Sequence, residues 1–327
     1  MGSSRRTRRE FLGVMAAGAA FAGSGRWARL AAEVAPKSKV ALARDSALRG
    51  SGSAPDSNRV LQLLDRALQA CCDRDKPPEA WKRIVAPGQT VGLKVNCLGG
   101  RGLSTSTVLV EAICERLQQA GIREENIIIW DRSETDLEDG GYRNRGKVRV
   151  IGNDRAGFED DLATFGEVGS RLTRTVTRSC DVVINLPLLK DHGVTGMTGA
   201  MKNFYGAVHN PNKYHPNAGN PYVADVNMLE PIRRKVRLHI CDSFGVQYEG
   251  GPSFRPQWNS KENALLVSRD PVALDYTGWQ MIERKRTEKG LPSLTAAGRA
   301  PAYIATAADA RHRLGTDDPH RIEVVEL

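Results

Sequence analysis

The chain has 327 residues and a formal net charge of +9, and it contains no internal repeat, which excludes a repeat architecture. Residues 1–35 hold six arginines and two glutamates, so the remaining chain keeps a net charge of only about +5. Nucleic-acid-binding proteins concentrate cations on one face. Here the two signs are interspersed, and we therefore expect no nucleic-acid partner.

The first residues have the pattern of a twin-arginine export signal. Residues 7–13 contain a paired arginine, one variable residue and then Phe-Leu, and an apolar stretch rich in Ala and Gly follows from Val14 to Gly23. This stretch is shorter than the ~20 apolar residues of a spanning helix and has the flanks of a signal peptide. We expect the export machinery to recognise residues 1–35 and residues 36–327 to form one exported or periplasmic α/β domain without a membrane anchor.

Apolar runs alternate with helical patterns along the rest of the chain. Strands are predicted at residues 40–43, 90–95, 127–130, 148–151, 181–186, 236–241 and 264–267. Helices are predicted at residues 57–70, with Ser57 as the N-cap, at residues 107–120, and at residues 270–285, with Asp270 as the N-cap. This alternation is typical of an α/β fold with a mainly parallel sheet, helices on both faces and long functional loops at the strand C-terminal ends.

The six cysteines are scattered along the sequence, and no Cys-x-x-Cys pair occurs. Iron–sulfur and structural zinc sites usually need such close pairs. We therefore expect no iron–sulfur cluster, and the cofactor, if the protein uses one, is unknown from the sequence.

Polar residues follow several of the predicted strands. In parallel sheets, ligands bind beyond the carboxyl ends of the strands. The sequence therefore predicts that residues 94–96, 131–132, 190–192 and 242–243 gather at one edge of the sheet, where they form a binding site.

The segment from Leu186 to His215 is the richest in chemistry, with three lysines, three histidines and several glycines. Lys190 and His192 follow a buried strand in a loop that glycines open, and they are the catalytic candidates. Imidazole suits proton transfer near neutral pH, so His192 is the candidate acid or base.

Two alternatives are open for the segment from Thr195 to Gly206. A helix that begins at Thr195 would offer free N–H groups to an anion, with Thr198, Lys202 and Asn203 close by. The other alternative is an ordinary amphipathic segment with a solvated lysine.

Turn residues fill the loop that contains His209, Lys213 and His215. We expect this loop to act as a lid over a ligand. In the minority interpretation, His192, His209 and His215 bind a metal ion, although their spacing matches no established zinc motif.

Several separate blocks resemble the domain of unknown function 362 family. They are residues 91–96, 104–107, 127–132, 189–192, 198–203, 250–252 and 268–275. The resemblance implies a twin-arginine-exported subgroup and a distant similarity to the N-terminal domain of lactate racemase, which binds a nickel-pincer nucleotide. Some members carry a ferredoxin-type module, whose clustered cysteines this chain lacks.

Three functions are compatible with these patterns. The leading one is an exported protein that binds an anionic small molecule such as a carboxylate or phosphate, and that acts as an enzyme through His192. The predicted binding residues are Lys94, Asn96, Thr195, Thr198, Lys202, Asn203, Lys213 and Asp242. The alternatives are an isomerase or redox protein that depends on a metal or organic cofactor, and a non-catalytic solute-binding protein.

Overall fold

A mostly parallel sheet forms the centre of the computed structural model, which describes residues 37–327. The predicted export signal lies outside these residues. In chain order the strands are β1 (Ser38–Arg44), β2 (Val91–Lys94), β3 (Ile127–Asp131), β4 (Arg149–Gly152), β5 (Ala163–Phe165), β6 (Val168–Ser170), β7 (Val182–Asn185), β8 (Leu188–His192), β9 (Gly196–Thr198), β10 (Val236–Gln247), β11 (Asn259–Ser260), β12 (Ala264–Ser268) and β13 (Ile322–Glu326).

The main sheet has the strand order β13-β1-β12-β10-β7-β2-β3-β4. The five strands from β10 to β4 are parallel, whereas β12 runs antiparallel to both of its neighbours. Lys94 lies opposite Trp130 on one side and Asn185 on the other, so β2, β3 and β7 end at the same level. The sequence prediction of a mainly parallel α/β fold is confirmed.

Helices surround this sheet. They are α1 (Ser57–Cys72), α2 (Pro77–Trp81), α3 (Thr107–Gln119), α4 (Glu134–Asp139), α5 (Asn153–Ala156), α6 (Tyr222–Met228), α7 (Glu230–Lys235), α8 (Pro271–Glu288) and α9 (Tyr303–Ala308). No helix within residues 37–327 is long and apolar enough to cross a membrane.

Both faces of the sheet are covered by apolar cores. In β1, Val40 and Leu42 belong to one buried cluster, while Ala41 and Ala43 belong to another. Successive side chains of a strand point to opposite faces, so the two clusters lie on the two sides of the sheet. Helix α8 packs into the first cluster, and helices α1 and α3 pack into the second. Burial on both faces explains why the strands are continuous apolar runs.

The helix starts show where local sequence rules succeed. As predicted, the Asp270 carboxylate accepts hydrogen bonds from the backbone N–H of Val272 and Ala273 at the start of α8. The N-cap of α1 is Asp56, which accepts the N–H of Arg59, so the prediction of Ser57 was wrong by one residue.

The structure also corrects two predicted loops. Residues 190–192 belong to β8, which forms an antiparallel hairpin with β9 and lies beside the distal part of β10. Strand β10 continues to Gln247, so Asp242 lies within a strand rather than after one. Because β9 occupies residues 196–198, no helix begins at Thr195, and a short 3₁₀ helix follows at Lys202–Ala207.

Candidate functional site

A cavity of about 210 Å³ lies at the carboxyl ends of β2 and β3 and beside β8. Its polar lining consists of Lys94, Asn96, Asp131, Arg132, Lys190, His192, Thr198, Lys202, Asn203, Tyr205, Asn212 and His215. The predicted edge of the sheet thus carries a cavity, and three lysines of the sequence prediction line it.

A continuous hydrogen-bond network fixes the floor of this cavity. Asp131 accepts a hydrogen bond from Lys94 Nζ at 2.6 Å, and Lys94 Nζ also donates to Asn203 Oδ1 at 3.1 Å. The same Asn203 oxygen accepts from Asn96 Nδ2 at 3.0 Å, which leaves Asn96 Oδ1 to accept from Lys190 Nζ at 3.3 Å. Each amide therefore has one defined orientation, and the lysines are held at fixed positions.

Asp131 and Asn203 are themselves anchored by groups behind the cavity. The second oxygen of Asp131 accepts the backbone N–H of Cys97 at 2.7 Å. Asn203 Nδ2 donates to Asn185 Oδ1 at 2.8 Å, and Asn185 in turn donates to the backbone oxygen of Ala200. The floor is consequently part of the sheet framework.

Lys190 and Lys202 differ from Lys94 because neither is paired with a carboxylate. Among residues 37–327, the polar partner of Lys190 Nζ is Asn96 Oδ1, and that of Lys202 Nζ is His215 Nε2 at 3.4 Å. Burial lowers the pKa of Lys190 to about 8. Burial and the nearby charge of Lys190 lower the pKa of Lys202 to about 7. Both shifts express the cost of burying an ammonium without a counter-ion.

The two cavity histidines have opposite tautomers. His192 Nδ1 accepts the backbone N–H groups of Val194 and Thr195, each at 3.2 Å, so its proton is on Nε2. His215 Nδ1 lies 3.3 Å from the backbone oxygen of Asn212, which can only accept, so His215 Nε2 carries the lone pair. The two rings stack with centroids 5.5 Å apart. The cavity thus holds one imidazole donor and one imidazole acceptor.

Electrostatics keep His192 neutral in the absence of a ligand. Burial, together with the positive charge of Lys202, lowers the pKa of His192 to about 2. Burial also lowers the pKa of His215. At neutral pH His192 therefore offers an N–H donor to the cavity rather than a base.

The alternation of β8 separates the cavity from a structural ion pair. Lys190 and His192 line the cavity, whereas the intervening Asp191 binds Arg299 at 2.8 Å and the backbone N–H of Gly251 at 2.7 Å. Residues i and i+2 of a strand share a face, which accounts for this division. Asp191 thus holds the segment beside Pro252, another residue of the cavity wall.

Asp275 binds two backbone N–H groups just before the 3₁₀ helix at Lys202–Ala207. Its carboxylate is fully buried and accepts hydrogen bonds from the N–H of Ala200 and, at 3.0 Å, from that of Met201. Burial raises the pKa of Asp275 to about 7. These N–H groups are therefore occupied by the protein itself.

Four predicted site residues lie outside the cavity lining. Thr195 is buried, and its hydroxyl donates to the backbone oxygen of Met197. Lys213 Nζ donates to the backbone oxygen of Gly169. The ring of His209 packs edge-on against Phe158. Asp242 accepts N–H groups from Ser106 and Phe244 and thereby holds the start of α3.

The donor set does not fit a resident metal ion. The structure brings His192 and His215 together but places His209 against Phe158. Within residues 37–327, no group of three or more His, Cys, Asp or Glu side chains could hold a metal ion. The cavity lining also contains three lysines and Arg132 against the single carboxylate of Asp131, which Lys94 already pairs, and this excess of positive charge repels cations.

Some cavity residues were absent from the predicted site. The strand-end rule placed Asp131 and Arg132 at this edge of the sheet, and both line the cavity, although neither was among the predicted binding residues. Tyr205 carries no comparable signal, because it reaches the cavity through the 3₁₀ helix, which the sequence pattern left ambiguous.

Fold and cavity together define an α/β protein with a lysine-rich site at the carboxyl edge of a mainly parallel sheet. The family described as domain of unknown function (DUF362) matches residues 91–280 of the chain. This match covers more than half of the chain and includes every residue that lines the cavity. The chain therefore belongs to the domain of unknown function 362 family.

Two comparisons place the chain beside other proteins. It is 29% identical over 218 residues to the thylakoid-associated protein sll1697 of Synechocystis sp., a match that covers 62% of this chain and 65% of the relative. The chain thus spans slightly less than two thirds of the length of that relative. A protein of known crystal structure from Thermotoga maritima is similar at 12% identity and a TM-score of 0.42, over 73% of this chain and 60% of that one.

Proposed function

We propose that the protein binds a small anionic molecule, a carboxylate or a phosphate, in the cavity beside β8. The observation that carries this proposal is the burial of Lys190 and Lys202, 1% and 7% exposed, without a carboxylate partner. A buried ammonium is unfavourable unless a counter-charge compensates it. An anionic ligand supplies that counter-charge.

The cavity also offers neutral donors at the same place. His192 Nε2–H and the Thr198 hydroxyl both line it, and hydrogen bonds to a charged acceptor are stronger than neutral ones. A cavity of about 210 Å³ is large enough for a small carboxylate or phosphate.

Proton transfer through His192 is the enzymatic form of this proposal. A bound anion next to the ring favours the imidazolium form and raises the pKa of His192 toward the working range of an acid. If His192 acts in this way, His192→Gln lowers turnover far more than ligand affinity, since the Gln amide retains an N–H donor. Equal losses of both would show that His192 only binds.

Calorimetry tests the binding proposal on residues 36–327. The ligands are acetate, oxalate, malonate and inorganic phosphate, and the variants are Lys190→Met, Lys202→Met and, as a control, the exposed Lys289→Met. A lost charge-assisted hydrogen bond costs ~1.5–3 kcal/mol, so each cavity variant should weaken binding roughly 10- to 100-fold. Two results would refute the proposal: binding that neither cavity substitution weakens, or the absence of binding by all four anions.

We further propose that the twin-arginine motif exports the protein. This rests on the sequence of residues 7–23 and on the resemblance to the exported subgroup of the family. In cell fractionation, the double variant Arg8→Lys, Arg9→Lys should retain the protein in the cytoplasm, whereas Arg26→Lys should not. Equal export of both variants would exclude this route.

The alternative functions give different results with the same protein. An isomerase or redox protein, as the distant resemblance to the lactate racemase domain implies, would carry a stoichiometric metal or a visible chromophore after native export. A solute-binding protein would bind an anion tightly and return it unchanged after long incubation. Metal analysis, an absorption spectrum and recovery of the ligand separate these three cases.

A further inference from the structure

We propose that Lys202 is a nucleophile that forms an imine with a bound anion carrying an aldehyde or ketone, such as a 2-oxo acid. This inference rests on the proposed anion site and narrows its ligand to a carbonyl compound. Three features of the cavity support it: the surroundings of the Lys202 amine, the hydrogen-bond acceptor beside it, and a second cation for the carboxylate.

The Lys202 amine lies in the cavity without an ionic partner. Its Nζ is 4.8 Å from the centre of the Tyr205 ring and 3.4 Å from His215 Nε2. Lys94, in contrast, has its Nζ bound by Asp131, Asn203 and the backbone oxygen of Val95. A desolvated lysine next to another cation is the form of the side chain that acts as an amine nucleophile. Lys202 has this environment, and Lys94 does not.

His215 is placed to accept a proton from this amine. Its Nδ1–H is directed to the backbone oxygen of Asn212, so the Nε2 lone pair faces Lys202 Nζ. A general base must lie within hydrogen-bond reach of the proton that it removes. The ring of His215 also stacks on that of His192. The Nε2 atom of His192 carries a proton and is a donor, whereas the Nε2 atom of His215 is an acceptor.

The reaction balances without a further reagent. The neutral Lys202 amine attacks the carbonyl carbon, a C–N bond forms, and the carbonyl electron pair moves to oxygen. The proton lost from nitrogen passes by way of His215 Nε2 to that oxygen, which gives a carbinolamine. The nitrogen then loses its second proton and the carbon loses its hydroxyl group, so one water leaves and the C=N bond forms. No oxidant or reductant takes part.

The carboxylate of such a ligand has its own partner in the same cavity. Lys190 Nζ is held by Asn96 and retains donors for a second acceptor. Lys190 lies in β8 two residues before His192, so one face of this strand offers the carboxylate both a cation and the N–H donor of His192. Lys190 therefore anchors the anion while Lys202 reacts with the carbonyl.

Reductive trapping tests the inference. The protein is incubated with glyoxylate or 2-oxobutyrate and sodium cyanoborohydride, and the adduct is mapped by peptide mass spectrometry. Glycolate and 2-hydroxybutyrate, which have the same charge but no carbonyl, are the matched ligands. We expect one stable adduct per chain, on Lys202, and none with the hydroxy acids. Adducts spread over exposed lysines, in the same proportion as in denatured protein, would overturn the inference.

Variants and calorimetry separate this inference from the proposed function. Lys202→Arg keeps the positive charge but has no such nucleophile, so trapping should be lost. Lys289→Arg should trap like the unmodified protein, and binding of the hydroxy acids is measured on the unmodified protein. Anion binding without an adduct on Lys202 would refute the imine alone. Absence of any anion binding, with no adduct, would refute both proposals. The mapping in the unmodified protein decides the question even where Lys202→Arg fails to fold.

Discussion

The buried pair of Lys94 and Asp131 gives the sharpest stability prediction. The two side chains are 1% and 5% exposed, and their charged atoms lie 2.6 Å apart. Replacing Asp131 with Asn keeps the volume but leaves the ammonium of Lys94 without its counter-ion. Removing one partner of a buried ion pair costs ~3–5 kcal/mol.

The structure places the expected cost at the lower end of this range. Lys94 Nζ retains two neutral acceptors, the backbone oxygen of Val95 at 2.6 Å and Asn203 Oδ1 at 3.1 Å. We therefore expect Asp131→Asn to lose about 3 kcal/mol of unfolding free energy, or roughly 6–12 °C in melting temperature at ~2–4 °C per kcal/mol. The same substitution adds positive charge to the cavity, so anion affinity should rise while stability falls.

Thermal melts by circular dichroism and calorimetry of phosphate binding measure these two opposite effects. The surface pair of Glu230 and Arg234, with both side chains at least 66% exposed, is the control, and Glu230→Gln should shift the melting temperature by only about 1–2 °C. The double variant Lys94→Met, Asp131→Asn should recover part of the loss, because no unpaired charge remains. An unchanged melting temperature in Asp131→Asn, or a loss of anion affinity, would refute the description of this pair.

Four further predictions concern the lysines, a glycine and a buried carboxyl group. Burial lowers the pKa values of Lys190 and Lys202 to about 8 and about 7, so both amines lose their protons as the pH rises through these values. The anion affinity measured by calorimetry should therefore fall over this range. A constant affinity would contradict the assignment of these lysines to the anion site. Those pKa values lie below the ordinary lysine value of 10.5, so between pH ~7 and ~10.5 the unfolded chain binds more protons than the folded protein. The contribution of these lysines to stability, measured by thermal melts, should therefore rise with pH in that window. A Cβ at Gly206 would lie 3.0 Å from Lys94 Cε and Nζ and would displace this lysine in the cavity floor. Gly206→Ala should therefore lower the anion affinity measured by calorimetry. An affinity equal to that of the parent would show that the cavity floor can move. Asp275→Ala leaves the N–H groups of residues 200 and 201 unpaired at ~1–3 kcal/mol each, which chemical denaturation should detect as lower stability than that of Asp275→Asn.

The sequence predicted the sheet well because its strands are buried on both faces. Continuous apolar runs mark β2, β3 and β7 without reference to the rest of the chain. Their carboxyl ends then place Lys94 and Asp131 at one edge by topology alone. This local signal accounts for the location of the cavity and for Lys94, the last residue of β2.

The remaining features depend on partners that are distant in sequence. Residues 190–192 form a strand because they pair with β9 and lie beside the distal half of β10, about 50 residues later. Asp275 binds backbone N–H groups 75 residues before it, and Arg299 binds Asp191 across 108 residues. Propensity and periodicity describe neighbours along the chain, so these contacts leave no pattern in the sequence.

The three cavity lysines have different tasks even though each is buried. Lys94 is neutralised within the protein by Asp131, and its role is to hold the ends of β2 and β3 together. Lys190 and Lys202 remain without such a partner in residues 37–327, and their positions are set by neutral amide and imidazole groups. Neutral groups can fix the position of an ammonium but cannot compensate its charge. The folded protein therefore holds two ammonium groups without a carboxylate partner in one cavity, and the proposed anion site rests on this arrangement.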